Sequence, residues 1–235
     1  METSRYLYTI MADKMLKIAA NILTYVFHPL LMFTYMLLLL LMVNPYMFGV
    51  NQVGDQIKLI AVVFLYSFFM PALAIVMMKA LGFVKTFDMK DRYDRIVPYI
   101  GTAVFYVAIY YLLYKSPDVP QAYKMFTLGG VIGLFAAFFM NNFSKVSIHA
   151  VGMGGLLTMT ILTMALLKQP NFPLNSTLFG SMRVSMTTVL LLVILFAGLV
   201  GSARLYLKAH TPGQLWGGYL IGVASQLVAF WISFG

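Results

Sequence analysis

Two histidines at the ends of apolar segments are the residues best suited to acid–base or nucleophilic chemistry. His210 precedes Thr211-Pro212, a pair typical of a helix start, with Thr as the N-cap and Pro in the first turn. Gln214 lies four residues further on, where its amide oxygen can accept from the imidazole and set its tautomer. Arg204, at the end of the preceding apolar segment, offers a planar set of donors suited to phosphate. The group predicts a reactive imidazole beside a bound anion.

The second histidine follows a short basic loop. If residues 145–149 are extended, Lys145, Ser147 and His149 point the same way, because side chains alternate along a strand. If a helix begins near Ser147 instead, its free backbone N–H groups point at the same place and favour phosphate. Either conformation predicts that this loop contributes to an anion site.

A third loop, residues 82–96, is rich in charge. If it is helical, Lys85, Asp88, Arg92 and Arg95 are spaced i, i+3, i+7 and i+10 and form one stripe. A cationic stripe with one carboxylate is suited to face an anion.

The elements that must position these residues are membrane-spanning. Hydrophobic residues make up 61% of the 235 residues, charged residues only 10%, and the mean hydropathy is +0.87. Soluble domains carry roughly 25% charged residues. Each apolar segment is close to the length that a bilayer requires. We therefore predict an all-α, integral membrane bundle of about seven transmembrane helices, at residues 19–43, 56–81, 97–114, 124–141, 148–167, 183–203 and 212–234.

The predicted organisation is a polar, interfacial segment at residues 1–18 and a single transmembrane domain at 19–235. Pairs of spans separate the loops at 82–96, 142–147 and 204–211, so these three loops must share one face. That face holds most of the Lys and Arg residues, which the positive-inside rule assigns to the cytoplasm. Several of them are also candidate anion ligands, so the orientation stays open. We expect a multi-pass protein of a bacterial cytoplasmic membrane.

Several classes of site are excluded or disfavoured. The chain has no cysteine, which excludes disulfides and thiolate metal sites. Its net charge of +9 resides in short loops rather than on a soluble face, which argues against nucleic acid and for lipid headgroups. The oligomeric state is not indicated. Gly129/Gly133 and Gly218/Gly222 predict close helix packing, and His28, before Pro29 in the first span, is interpreted as structural.

The three loops together resemble the type-2 phosphatidic acid phosphatase (PAP2) superfamily. Its signatures are Lys-x6-Arg-Pro, Pro-Ser-Gly-His and Ser-Arg-x5-His-x3-Asp. The resemblance covers the chain from about residue 85 to the end, although no signature is intact. The matching residues are Arg204-x5-His210 for the third signature, Ser147-x-His149 for the second, and Lys85-x6-Arg92 or Arg95 with Pro98 for the first.

The resemblance implies a PAP2-like core and a metal-independent phosphatase without cofactors. By analogy with the family, His210 is the nucleophile that forms a phosphohistidine, and His149 protonates the leaving oxygen. The substrate implied is a membrane lipid phosphate or a polyprenyl diphosphate such as undecaprenyl diphosphate. The residues implied in phosphate binding are Arg204, Lys145, Ser147, Arg92, Arg95 and Lys85.

One departure from the family bears on activity. Gln214 occupies the position of the Asp that accepts from the nucleophilic histidine, and Ala203 occupies that of the Ser. An amide orients an imidazole but does not stabilise imidazolium charge. The comparable Asp-to-Asn change in a serine protease triad costs about 10⁴ in rate. Either activity is low, or another carboxylate such as Asp88 substitutes, or the chain is a non-catalytic relative.

Three further functions compete with a phosphatase. One is a catalytically weak or silent protein that binds lipid phosphate. Another is a prenyl-diphosphate-using transferase, suggested by Asp88-x2-Asp91-x2-Asp94, although such enzymes normally have two acidic clusters and the sequence has one. A channel or transporter is the last, and the scarcity of charges within the spans disfavours it.

Overall fold

A computed structural model of the protein describes the backbone of residues 2–84, 86, 89, 91–176 and 180–235, and the side chains of these residues except 2–9, 175, 176 and 181. Over that part of the chain, nine α-helices and one antiparallel hairpin form. The helices are α1 (Glu2–Val26), α2 (Met32–Val43), α3 (Ile57–Phe64), α4 (Met70–Ala80), α5 (Ile96–Lys115), α6 (Gln121–Asn141), α7 (Ile148–Leu167), α8 (Met186–Tyr206) and α9 (Pro212–Phe234); the strands are β1 (Asn171–Ser176) and β2 (Gly180–Ser185).

Seven helical segments are long and apolar enough to cross a membrane, as the sequence predicts. They carry large apolar side chains on their outer surfaces; Trp231, for example, is 73% exposed. A surface of this kind is stable in lipid rather than in water. The protein is therefore an integral, multi-pass membrane protein with spans at Ile10–Val43, Pro45–Ala80, Tyr93–Lys115, Gln121–Asn141, Ile148–Leu167, Met186–Tyr206 and Pro212–Phe234.

The first span is not the continuous helix that the sequence predicts for residues 19–43. Helix α1 runs through residue 19 from Glu2, ends at Val26, and is separated from α2 by a 3₁₀ turn at Pro29–Leu31. Proline lacks an N–H group and disfavours helical geometry in the residue before it. His28 accordingly has an extended backbone, with φ −65° and ψ 135°.

The second span also contains an irregularity. Residues Leu65–Phe69 form a π-helical segment between α3 and α4, and this segment packs against the 3₁₀ turn of the first span. π-Helical turns are frequent at functional sites. Two irregular stretches of backbone therefore meet inside the bundle.

The loop predicted around residues 168–182 contains the hairpin. Strands β1 and β2 pair in antiparallel register from Asn171↔Ser185 to Ser176↔Gly180. Phe172 on β1 is buried and anchors the hairpin to α2. The hairpin is the one β-sheet among the described residues, so the all-α class predicted from the sequence is correct.

The centre of the bundle is the crossing of α7 with α9, where glycines bring the two backbones together. A methyl group at Gly218 would lie 2.6 Å from the carbonyl oxygen of Ser147, and one at Gly154 would lie 2.6 Å from that of Tyr219. Small residues at this spacing let helices approach closely in lipid. The predicted Gly129/Gly133 pair similarly faces α9, opposite Gln226 and Ser225.

This crossing places the three predicted loops side by side on one face. The backbone N–H of Ser147 donates to the carbonyl of Gln214 at 3.3 Å. Arg95 donates to the carbonyl of Val146 at 3.0 Å, and Lys145 donates to that of Ala209 at 3.1 Å. The shared face expected from the alternation of spans is confirmed.

The crossing predicts a position-specific sensitivity to one methyl group. Gly222→Ala should lower the thermal unfolding midpoint in detergent, because the added carbon meets the backbone of Val151 and Gly155. Overpacking of this kind costs about 1–3 kcal/mol. Gly217→Ala in the same helix is the control, since nothing lies within 4 Å of its added carbon. Equal midpoints for the two variants would contradict the proposed packing.

Candidate functional site

A cavity of about 1110 Å³ begins at the three loops and extends into the bundle. Its outer part is lined by basic and imidazole side chains, including His149, Arg204 and His210. Its inner part is lined by aromatic and small residues, among them Phe126 and Gly129. The structure therefore joins a cationic pocket to an apolar one.

His210 lies at the start of α9 and is held by its own helix cap. Its Nδ1 lies 3.3 Å from Oε1 of Gln214, an amide oxygen that can only accept, so Nδ1 carries the proton. The same Oε1 accepts from the N–H of Thr211 at 3.2 Å, within a capping box between Thr211 and Gln214. The Nε2 atom is buried without a hydrogen-bond partner. Its lone pair is thus available for reaction.

The surroundings of His210 keep its ring neutral. Burial, followed by the charges of Arg95, Arg204 and Lys145, lowers the pKa of His210 from 6.5 to about 3. The hydrogen bond with Gln214 acts in the opposite direction but does not compensate. A neutral imidazole keeps the lone pair that a nucleophile requires.

His149 is oriented by a backbone carbonyl of the first span. Its Nε2 lies 3.2 Å from the carbonyl oxygen of Thr24, so Nε2–H is the donor. Its Nδ1 is buried without a partner. His149 and His210 therefore each have one ring nitrogen fixed by a hydrogen bond and the other unpaired, and both rings line the same cavity.

Among the described residues, four cations line the cavity beside these rings: Arg95, Lys145, Arg204 and Lys208. No Asp or Glu lines it among the residues that the structure describes. Arg204 and Lys145, both predicted to bind phosphate, therefore line the same cavity. Of the two arginines proposed for the first signature, Arg95 lines the cavity and Arg92 does not.

Three other predicted site residues, Ser147, Arg92 and Gln214, do not line the cavity. Ser147 is fully buried, and its hydroxyl caps α7 by accepting from the N–H of Ala150 at 3.5 Å. Arg92 donates instead to the carbonyl of Asn142 at 2.8 Å. Gln214 is connected to the cavity through its hydrogen bond with His210. Lys85 and Asp88 lie outside the described residues.

The predicted helical stripe in the first loop does not form over the described residues. Helix begins only with a 3₁₀ turn at Tyr93–Arg95, so Arg92 and Arg95 point to different places. Asp91 accepts from the N–H of Tyr93 rather than facing the cavity. Within the described part of the chain, no group of three His, Asp or Glu residues is arranged to hold a metal ion.

Two features of the site escaped the sequence analysis. His28 lines the cavity, with its ring edge-to-face against that of His149 and the ring centroids 5.4 Å apart. The helix-breaking His-Pro pair was the available signal. Tyr25 on α1 and Val76 on α4 also line the cavity while being 73% and 52% exposed, so the cavity opens between these helices toward lipid.

Comparison of the chain with protein-family models, curated proteins and solved structures finds no match.

The site predicts an imidazole that resists protonation. Histidine-selective ¹⁵N NMR in micelles should show His210 neutral from pH 7 down to about pH 4, whereas an unperturbed ring titrates at about 6.5. The same difference makes acid destabilising, because the unfolded ring binds a proton across this window and the folded ring does not. His210→Asn assigns the signal. A midpoint near 6.5 would contradict the described environment.

Proposed function

We propose that the protein is a membrane phosphatase that hydrolyses a lipid phosphate or polyprenyl diphosphate through a phosphohistidine on His210. The observation that carries the proposal is the unpaired, neutral Nε2 of His210 on a cavity lined by Arg95, Lys145 and Arg204. An imidazole lone pair beside converging cations suits attack on phosphorus, since the cations stabilise the charge of the transition state.

The reaction would proceed in two displacements. Nε2 of His210 attacks phosphorus, and the bond to the leaving oxygen breaks as a nitrogen–phosphorus bond forms. His149, held at Nε2 by the Thr24 carbonyl, takes a proton at Nδ1 from the bound phosphate monoanion and gives it to the leaving oxygen. The neutral Nδ1 then takes a proton from water, which attacks the phosphohistidine and releases phosphate. Every role belongs to a side chain, so no metal ion is required.

The form of the cavity supports an amphiphilic substrate. His149, His210 and the cationic groups lie near the ends of the spans, and Phe33, Tyr106 and Phe126 line the deeper part of the cavity. The opening between α1 and α4 gives hydrocarbon chains a route from the bilayer. A phosphate headgroup would occupy the outer part while its chain occupies the inner part or extends into lipid.

Gln214 favours a second candidate, a weak or silent binder of lipid phosphate. Its amide orients His210 but brings no negative charge to stabilise imidazolium. No carboxylate in the described portion of the cavity lining takes over that role. Binding of a lipid phosphate without turnover would favour this candidate.

Removing either imidazole should stop or slow phosphate release. His210→Ala should reduce release to background, because it removes the attacking atom, and His149→Ala should reduce it by about 10²–10⁴-fold, the contribution of a general acid. Purified protein in detergent with EDTA would be given phosphatidic acid, phosphatidylglycerol phosphate or undecaprenyl diphosphate. Exposed Lys58→Ala is the control. Wild-type rates in His210→Ala would exclude the assigned nucleophile.

A charge at position 214 should increase turnover. Gln214→Asp is expected to raise the rate by roughly 10-fold, because a carboxylate stabilises the imidazolium that an amide only orients. Gln214→Glu keeps the side-chain length and the capping-box pattern, and Gln214→Asn shortens the side chain without adding charge. If Gln214→Asn raised the rate as much as Gln214→Asp did, side-chain length rather than charge would be responsible. If Asp88 already supplies the carboxylate, Asp88→Asn should be the damaging change.

A further inference from the structure

The break in the first span forms part of the cavity wall. Helix α1 ends at Val26, α2 begins at Met32, and His28, Pro29 and Leu30 all line the cavity between them. Irregular backbone at membrane depth is tolerated only where it is buried in protein or lines a cavity, because lipid cannot satisfy free N–H and C=O groups. Broken helices in membrane proteins often form binding sites.

Side chains of α2 itself and of α5 and α7 hold this break in place. The hydroxyl of Tyr35 donates to the carbonyl of Val26 at 2.6 Å, and that of Tyr106 donates to the carbonyl of Pro29 at 3.4 Å. His149 donates to the freed carbonyl of Thr24. Gly152 leaves room for Pro29, whose Cα would lie 3.4 Å from a methyl group at that position. The break is thus built into the packing.

The His28 ring has one nitrogen committed to the backbone. Its Nδ1 accepts from the N–H of Leu30 at 3.4 Å, so the proton of the neutral ring is on Nε2. The ring is partly exposed to the cavity and lies against His149. Arg204 lies within electrostatic range of His28, His149 and His210. All three histidines of the chain and Arg204 therefore line one cavity.

We propose that His28 is a third ligand-binding imidazole, whose Nε2–H donates to an oxygen of the phosphoryl group bound at Arg204. The break then serves the site twice, because it presents this donor and frees the Thr24 carbonyl that orients His149. The proposal rests on the proposed function for the identity of the anion. It does not require that the anion be hydrolysed.

Two substitutions separate ligand binding from helix capping at position 28. In His28→Asn, the amide oxygen takes the place of Nδ1 and retains the cap, but nothing replaces Nε2–H. In His28→Gln, the amide nitrogen reaches the place of Nε2 and retains the donor, but the acceptor for Leu30 is lost. If His28 has only a structural role, His28→Asn should impair the protein less than His28→Gln does. If His28 binds the ligand, His28→Gln should impair ligand binding less than His28→Asn does.

The test measures binding and stability separately on the full-length protein in detergent micelles. Calorimetry would give the affinities for inorganic phosphate and for dodecyl phosphate. His28→Asn should weaken binding by about 10-fold, the effect of one hydrogen bond to a charged group, with an unchanged unfolding midpoint. His28→Gln should bind within about 3-fold of wild type but unfold at lower temperature. Weakening with both probes assigns the phosphate itself as ligand, and weakening with dodecyl phosphate alone assigns a lipid headgroup.

Other outcomes overturn the proposal. Wild-type affinity in His28→Asn would return His28 to a structural role, as would binding that is lost only in His28→Gln. Absence of binding to either probe by the wild-type protein would also overturn it. Phosphate release is measured apart from this: binding that depends on His28 without any release would reject the phosphatase and keep the inference. If the protein releases phosphate and His28→Asn leaves the affinity and kcat/KM unchanged, the phosphatase is kept and the inference about His28 is rejected.

Discussion

The close contact between the backbones of α7 and α9 is the constraint on which the site depends. Gly154, Gly218 and Gly222 remove the side chains that would keep these helices apart. Their first turns consequently lie side by side, linked by the Ser147–Gln214 backbone hydrogen bond. His149 belongs to the start of one helix and His210 to the start of the other. The separation between the two imidazoles is therefore set by backbone packing in the first turns of the two helices.

The electrostatics of the cavity would suit both anion binding and the proposed reactivity of His210. Burial and the nearby cations oppose a positive charge on His210, which leaves its Nε2 lone pair intact. The same cations attract a phosphate group. A bound phosphate would offset part of their charge and so ease the positive charge that develops on His210 during attack. If the proposed phosphatase mechanism holds, the empty site favours the neutral nucleophile and the occupied site favours the charge that develops on it.

The sequence predicts those parts of the fold that follow from composition and spacing. Seven apolar segments and the glycine pairs determine the bundle, and alternation of spans brings three loops to one face. The choice between Arg92 and Arg95 required the backbone path of a loop that is not helical. The position of His28 in the cavity wall does not follow from the sequence, because a lone His-Pro pair in an apolar span resembles an ordinary kink. His28 and His149 are about 120 residues apart in the sequence and come together through tertiary packing, which local sequence spacing does not encode. The hairpin was likewise hidden by prolines that are typical of loops.

The opening between α1 and α4 has a consequence for how the protein encounters its ligand. A molecule entering there travels within the plane of the bilayer, so its supply is set by its mole fraction among the surrounding lipids and not by its concentration in water. Diluting the membrane with inert lipid would then slow occupancy even when the total amount of ligand is constant. Conversely, a change in lipid composition would directly alter the occupancy of the site even when the aqueous phase stays the same.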